Sequence, residues 1–426
     1  MNPRALLRDV SGFHRIVWVL FFGNLVNSIG GFMIRPFLSL YLYSKMGVST
    51  TSVGLFMGLM ALAGLITGMV SGSLADRFGR RRMMLGALIA EAVVLLLFSR
   101  ARTFTHFLIL GVLMGTAGPM FWPASSAAVA DVTLPEKRAH AYGLLRIAIN
   151  VGASVGPLVG AVLVTRSYST AFLITAVSTI LYAVTVAFLI PETRPADNMT
   201  VGEGAQAAAG AVAAASSGGA VDEGYRVVLR DTVFLIFLTV AVLVGASYAQ
   251  IETTLAIFLT RFRSMSPESY ASLIAINGLL VVVLQIPITH LVNRHQVHVV
   301  LAASSLLYGL GFVGFGLMPT WAGLVAAMVV VTVAEMMNAP SYTKFVADIS
   351  PPEQRGRYMA ASGLPWGVSG IIGPVLGGFL MGRLSGASVW WAAGVMCTVA
   401  GLAYMRLGAR TTGRVARQES RPGALT

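Results

Sequence analysis

Charge is scarce in this chain. Asp, Glu, Lys and Arg make up 11% of its 426 residues, 56% are hydrophobic, and the mean hydropathy is +0.77. A water-soluble fold of this length needs far more charge to cover its surface, so that class is excluded. Cysteine is nearly absent too, and Cys397 alone cannot build an internal disulfide framework. No GxSxG elbow, HExxH pair or P-loop occurs in its expected setting, which argues against a membrane enzyme or an ATP-driven pump. No cofactor is expected. His290, His295 and His298 lack the i, i+4 spacing of a metal-binding helical face and have no cysteine or acid beside them, so no metal site is expected either.

What the chain has in abundance is long apolar runs. Twelve of them, each long enough to cross a bilayer, occupy 15–42, 51–75, 83–99, 104–131, 139–165, 169–190, 231–260, 268–292, 298–318, 321–349, 357–383 and 386–406. The first is too long for a cleaved signal and lacks a small-residue cleavage site. Acidic residues are few, 17 against 30 Lys and Arg, and the net charge is +13. About 20 of the basic residues fall on one side of the spans and about 7 on the other, so the basicity encodes topology and no nucleic-acid partner is expected. The rich side holds both termini, which predicts cytoplasmic ends in a multi-pass protein of the plasma or inner membrane.

The chain also repeats itself. "PASSAAVADVTLPEKR" (123–138) and "APSYTKFVADISPPEQR" (339–355) match at one offset of 217 residues, with Asp131 on Asp348, Pro135 on Pro352 and Arg138 on Arg355. Without a gap the register continues from "VGPLVGAVL" (155–163) to "IGPVLGGFL" (372–380). The predicted fold is therefore an all-α membrane protein of twelve transmembrane helices in two pseudo-symmetric six-helix bundles. The bundles are assigned to 1–190 and 231–410, with a Gly/Ala/Ser-rich cytoplasmic linker at 191–230 and a basic cytoplasmic tail at 411–426. Parallel repeats of this kind put a solute site between the halves and work by rocking one against the other.

Two further stretches carry a family resemblance. "GSLADRFGRRRMML" (72–85) resembles the signature of the major facilitator superfamily between helices 2 and 3, with Gly72, Asp76, Arg77, Gly79, Arg80 and Arg81 at matching positions. "GASVGPLVGAVL" (152–163) is similar to its antiporter motif in helix 5, through Gly152, Gly156, Pro157 and Gly160, although Ala161 replaces the usual last glycine. The resemblance implies a transporter fold and a latch in which Arg80 pairs with Asp131 while Asp76 faces a helix end near Gly356. The helix 4 arginine of the drug–proton branch is missing from "LILGVLMGTAG" (108–118), so its proton-linked role is not carried over. The closer likeness is to multidrug antiporters with an acid in helix 10, which Glu335 would match.

Charges inside the spans are the remaining signal. Shifting Arg35 by the same 217 residues lands on Glu252, so opposite charges stand at equivalent points of the first and seventh spans and are expected to pair as a gate. Glu335 is the first choice for a proton carrier, and Glu91 a weaker one that serves equally well as a packing anchor. Arg146 lies four residues before Asn150 on one face of the fifth span. A largely apolar cavity is expected, with Asn24, Asn27, Trp122, Asn150, Gln250, Asn277, Asn338 and Trp366 as substrate contacts and Phe121 and Tyr248 nearby. The expected function is proton-coupled efflux of hydrophobic or cationic small molecules by a monomer in the lipid bilayer. Uptake or lipid and metabolite export by the same fold is the alternative, and a passive channel or scaffold the rival from another class.

Overall fold

The computed structural model describes residues 13–193, 228, 230–351 and 354–419, without the side chains at 135, 136, 139 and 409–419. Most of the linker expected at 191–230 and the end of the basic tail lie outside the described residues. Every regular element among those residues is a helix. Six helices precede the linker: α1 Arg15–Ser44, α2 Thr50–Phe78, α3 Arg80–Phe98, α4 Phe104–Val132, α5 Pro135–Arg166 and α6 Tyr168–Leu189. After it come α7 Thr232–Thr253, α8 Leu255–Phe262, α9 Pro267–Val292, α10 Val297–Leu317, α11 Trp321–Ile349, α12 Arg355–Ala361, α13 Leu364–Arg383 and α14 Ser388–Glu419.

Eleven spans among the described residues are long and apolar enough to cross a membrane, against the twelve expected. The exception is α3, whose first turn is Arg80, Arg81 and Arg82 and which carries Glu91 in its middle. Its apolar stretch is real but short, and charge dilutes it.

Side chains supply the starts and breaks of these helices. Thr103, Ser167 and Thr320 each accept a backbone N–H three residues on, and Asp231 accepts two at the start of α7. Gly79 alone separates α2 from α3, with φ +94°, a region open to glycine and strained for side chains. Two runs expected to be continuous are interrupted. At the end of α7 the hydroxyls of Thr253 and Thr254 donate back to the carbonyls of Ala249 (2.8 Å) and Gln250 (3.0 Å), a bond that bends helices, and α8 begins afresh. Between α12 and α13, Pro365 has no N–H for the preceding turn, and the Tyr342 hydroxyl donates to the Ser362 carbonyl at 2.7 Å.

The chain divides into two compact units. Unit 1 runs to Val48 and resumes from Leu59 to the linker; unit 2 holds Ser49–Gly58 and everything after the linker. Within unit 1, α1 packs on α5 and α6, and α3 packs on α4 and α6. Within unit 2 the elements at the 217-residue offset pair the same way: α7 with α13 and α14, α10 with α11 and α14.

The duplication reaches single atoms. A methyl on Gly156 would lie 2.7 Å from the Ile29 carbonyl, and one on Gly373 would lie 2.9 Å from the matching Ala246 carbonyl. Gly152 is pressed against Ser28, while at the equivalent crossing Gly245 is pressed against Ser369. Each crossing therefore joins one glycine to one serine, with the two exchanged between helices. Such small residues let helix backbones approach closely where lipid offers no hydrophobic drive. In unit 1 the motif Gly152, Gly156 and Gly160 is the seam of α5 on α1.

Candidate functional site

Unit 2 builds its polar centre from three helices around one acid. Glu335 lies in the middle of α11, half-buried. From α9 the Asn277 amide donates to Glu335 Oε2 at 2.9 Å and to Thr332 Oγ1 at 3.0 Å, one turn before it. From α7 the Tyr248 hydroxyl hydrogen-bonds the same carboxylate. Thr332 is anchored in turn to the Met328 carbonyl at 2.7 Å. Oriented partners of this kind keep a membrane-embedded carboxylate in one place, where an unpartnered charge costs a few kcal/mol even on lenient scales.

Aromatic rings surround the acid's partner. Tyr248 meets Tyr308 edge-on at 6.1 Å and Trp366 edge-on at 6.0 Å, and Tyr308 stacks on Phe312 at 5.8 Å. Trp366 is 65% exposed, so one wall of the cluster is left uncovered by the protein. A carboxylate beside aromatic faces can take a cation or a proton. One turn on, Asn338 donates to Ser304 Oγ at 3.1 Å.

Two residues expected to touch substrate are shielded. Gln250 is 1% exposed, and its amide is fully spent: it donates to Gly373 O (2.8 Å) and Ala246 O (2.9 Å) and accepts from Thr254 (3.1 Å). It is a clamp between α7 and α13, filling the place that Met33 holds at the α1–α5 seam. Asn24 is 2% exposed and faces the interior of unit 1. Trp122, Asn150 and Arg146 are exposed, as are Arg35 in unit 1 and Glu252 in unit 2.

Unit 1 holds a second acid. Glu91 of α3 is hydrogen-bonded to the Asn27 side chain of α1, whose Oδ1 accepts from Thr179 of α6 at 2.9 Å. The sequence singled out Glu91 and Asn27 separately; nothing in it paired them, and Thr179 carried no signal.

The loop that resembles the superfamily signature forms a charged cluster at one end of unit 1. Arg80, its side chain 10% exposed, reaches Asp76 at 3.0 Å and Asp131 at 3.3 Å. Two residues after α6 join it: Glu192 accepts the Arg80 backbone N–H at 2.8 Å, and Thr193 donates to Asp131 at 3.2 Å. A Cβ on Gly79 would push the Glu192 carboxylate off the Arg80 N–H, while the glycine itself is required by its φ of +94°. Arg81 donates to the Ala187 carbonyl, and Arg77 lies over the Phe78 ring at 5.6 Å. Glu192 escaped the sequence reading; an acid just past a span, on the side that carries three consecutive arginines, was the available signal.

A profile described as Major Facilitator Superfamily matches residues 20–266 and 253–425. The chain belongs to that superfamily. It is a multi-pass membrane transporter by family. It is 28% identical over 391 residues to a Na(+), Li(+), K(+)/H(+) antiporter of Planococcus maritimus, covering 86% of this chain and 89% of the relative. It is 24% identical over 364 residues to the multidrug resistance protein MdtH of Shigella boydii serotype 4 (strain Sb227), covering 85% and 86%. Among solved structures, that of the nucleoside transporter NupG superposes with a TM-score of 0.77 at 15% identity, over 92% of this chain and 99% of that one, a likeness of fold.

Proposed function

We propose that this superfamily member is a proton-coupled secondary transporter that exports hydrophobic or cationic small molecules. The observation that carries the reading is the Glu335 carboxylate, held by Asn277 and Tyr248 beside the exposed ring of Trp366. A cation gains from a carboxylate and from aromatic faces, and a proton neutralises the same carboxylate. Cation and proton then compete for one group, which is the minimal requirement of antiport. The chain's likeness to a multidrug resistance protein and to a cation–proton antiporter supports the same exchange logic. The second of these favours a narrower reading, in which the exported cation is an alkali ion. The Arg80–Asp131–Asp76 cluster serves in this scheme as a conformational latch of unit 1. Placement in the cell membrane with cytoplasmic termini follows from the distribution of Lys and Arg.

The test is transport in proteoliposomes with an imposed pH gradient, comparing a cationic dye with Na+ as solute. Wild type is expected to move the dye against its gradient at the expense of the proton gradient, and Glu335→Gln to lose that drive. Dye movement indifferent to the gradient in wild type would end the antiport reading; gradient-driven movement of Na+ but not dye would select the narrower one.

A further inference from the structure

The 217-residue register makes the two acids comparable, and they do not match. Glu91 corresponds to Tyr308, Asn27 to Val244, and Glu335 to Gly118. Around Glu91, α3 packs on α4 and α6 as its counterpart α10 packs on α11 and α14 around Tyr308. A fold that is built equally well with a tyrosine and a valine has no structural need for a carboxylate and an amide at these points.

The charged and titratable groups on the elements packed against α3 lie away from Glu91. On α1, Arg15 is twelve residues before Asn27, and Arg35 is eight residues after it, about 12 Å along the axis. Tyr41 and Tyr43 are further still along α1. On α4, His106 and Asp131 sit at opposite ends of the helix. On α6, Tyr168 begins the helix, and the Tyr182 hydroxyl is turned to the Leu20 carbonyl at 3.5 Å. No ion pair to Glu91 occurs among the described residues. Its polar neighbour is the neutral amide of Asn27.

That amide can serve either protonation state. In the arrangement present, Asn27 Nδ2 faces the Glu91 carboxylate while Oδ1 accepts from Thr179. When Glu91 binds a proton, its new O–H needs an acceptor. A half-turn of the Asn27 amide presents Oδ1 to it and swings Nδ2 toward Thr179 Oγ1. The Thr179 hydroxyl hydrogen then turns to the Thr175 carbonyl four residues back in its own helix, an acceptor it would share with the Ser178 hydroxyl, which donates to it at 2.8 Å. One proton has been added, the acid O–H, the Asn27 amide and the Thr179 hydroxyl each keep a partner, and no backbone has moved. Networks satisfied in two states are the ones able to act as switches, since a polar group orphaned in either state would penalise that state.

We propose that Glu91, Asn27 and Thr179 form a proton-binding site of unit 1, distinct from Glu335, in which the Asn27 amide turns over as the proton arrives. The proposal rests on the reading of this chain as proton-driven, and it gives the transporter one protonatable acid in each unit at non-equivalent positions.

Infrared difference spectra of the full-length protein in lipid, recorded across a step from alkaline to acidic pH, test it without reference to transport. The wild type is expected to gain a carboxylic-acid C=O band that is retained in Glu335→Gln and lost in Glu91→Gln. In Asn27→Leu the band should move to higher frequency, because the acid has lost its hydrogen-bond partner. If Glu91→Gln does not fold, Glu91→Asp keeps an acid and should displace the band instead of removing it. A band that survives Glu91→Gln, or one that Asn27→Leu leaves in place, overturns the site. Presence of the band together with dye transport indifferent to pH upholds the site and removes only the antiport reading.

Discussion

The exchange of serine and glycine between the two halves makes a double substitution informative. Gly152 faces Ser28 where α5 crosses α1, and Ser369 faces Gly245 where α13 crosses α7. Gly152→Ser alone would set two serines against each other at a crossing built for one. Its Cβ would overlap the Ser28 Cβ and lie 2.8 Å from the Ser28 carbonyl carbon and 2.9 Å from the Ile29 nitrogen. Overpacking of this kind costs about 1–3 kcal/mol. At roughly 2–4 °C per kcal/mol for a unit of this size, the melting temperature should fall by about 2–12 °C. Ser28→Gly alone should cost about 0.5–1 kcal/mol, since it places a glycine inside a helix. The double variant Ser28→Gly/Gly152→Ser reproduces the arrangement of unit 2. It should be more stable than the sum of the singles by about 1 kcal/mol or more, within the range seen for contacting residues. Rescue will be partial, because the two backbone contacts remain after the side-chain clash is gone. Thermal melts of the purified protein in detergent, read by aggregation or tryptophan fluorescence, measure all four corners of the cycle. Additivity to within about 0.5 kcal/mol would refute the pairwise account of this crossing.

Other consequences follow from the same geometry. Gln250→Leu should lower stability by about 1–3 kcal/mol, because it strips the Gly373 carbonyl of its donor and the Thr254 hydroxyl of its side-chain acceptor. Substrate affinity in a dye-binding titration should stay as in wild type; a loss of affinity without a change in melting would return Gln250 to the ligand site. Asp131→Asn removes one of the two carboxylates on Arg80 and should weaken that contact by about 1.5–3 kcal/mol, the range for hydrogen bonds to charged groups. Roughly a tenfold or greater shift in the population the latch favours should follow, read as a change in transport rate with unchanged equilibrium dye binding.

How far the sequence reaches can be judged residue by residue. Hydropathy located the spans because a bilayer admits only long, internally bonded apolar helices, and α3 fell short only where charge dilutes a brief run. The offset of 217 residues anticipated which positions correspond, and the Gly156 and Gly373 contacts match because equal spacing on equal helices produces equal seams. Arg80 and Asp131 were paired from the signature alone and do meet. Gln250 was expected at the ligand and here ties α7 to α13, because a polar residue in an apolar span looks the same in sequence whether it faces a ligand or joins two backbones. Glu192 passed unnoticed because its partner is a backbone N–H beside a glycine 113 positions away.

Composition and periodicity thus determined by themselves that this is a helical membrane protein with acids in the third and tenth spans, and the 217-residue repeat that it is duplicated. Composition and periodicity are local: each needs only a window of chain and the solvent it must match. Which groups those acids meet was decided by the tertiary structure. Asn277 lies 58 residues from Glu335, and Asn27 lies 64 from Glu91. Contacts across that distance depend on how helices rotate about their axes, and that rotation is set by glycine seams and hydroxyl back-bonds acting together, which no single window of sequence contains.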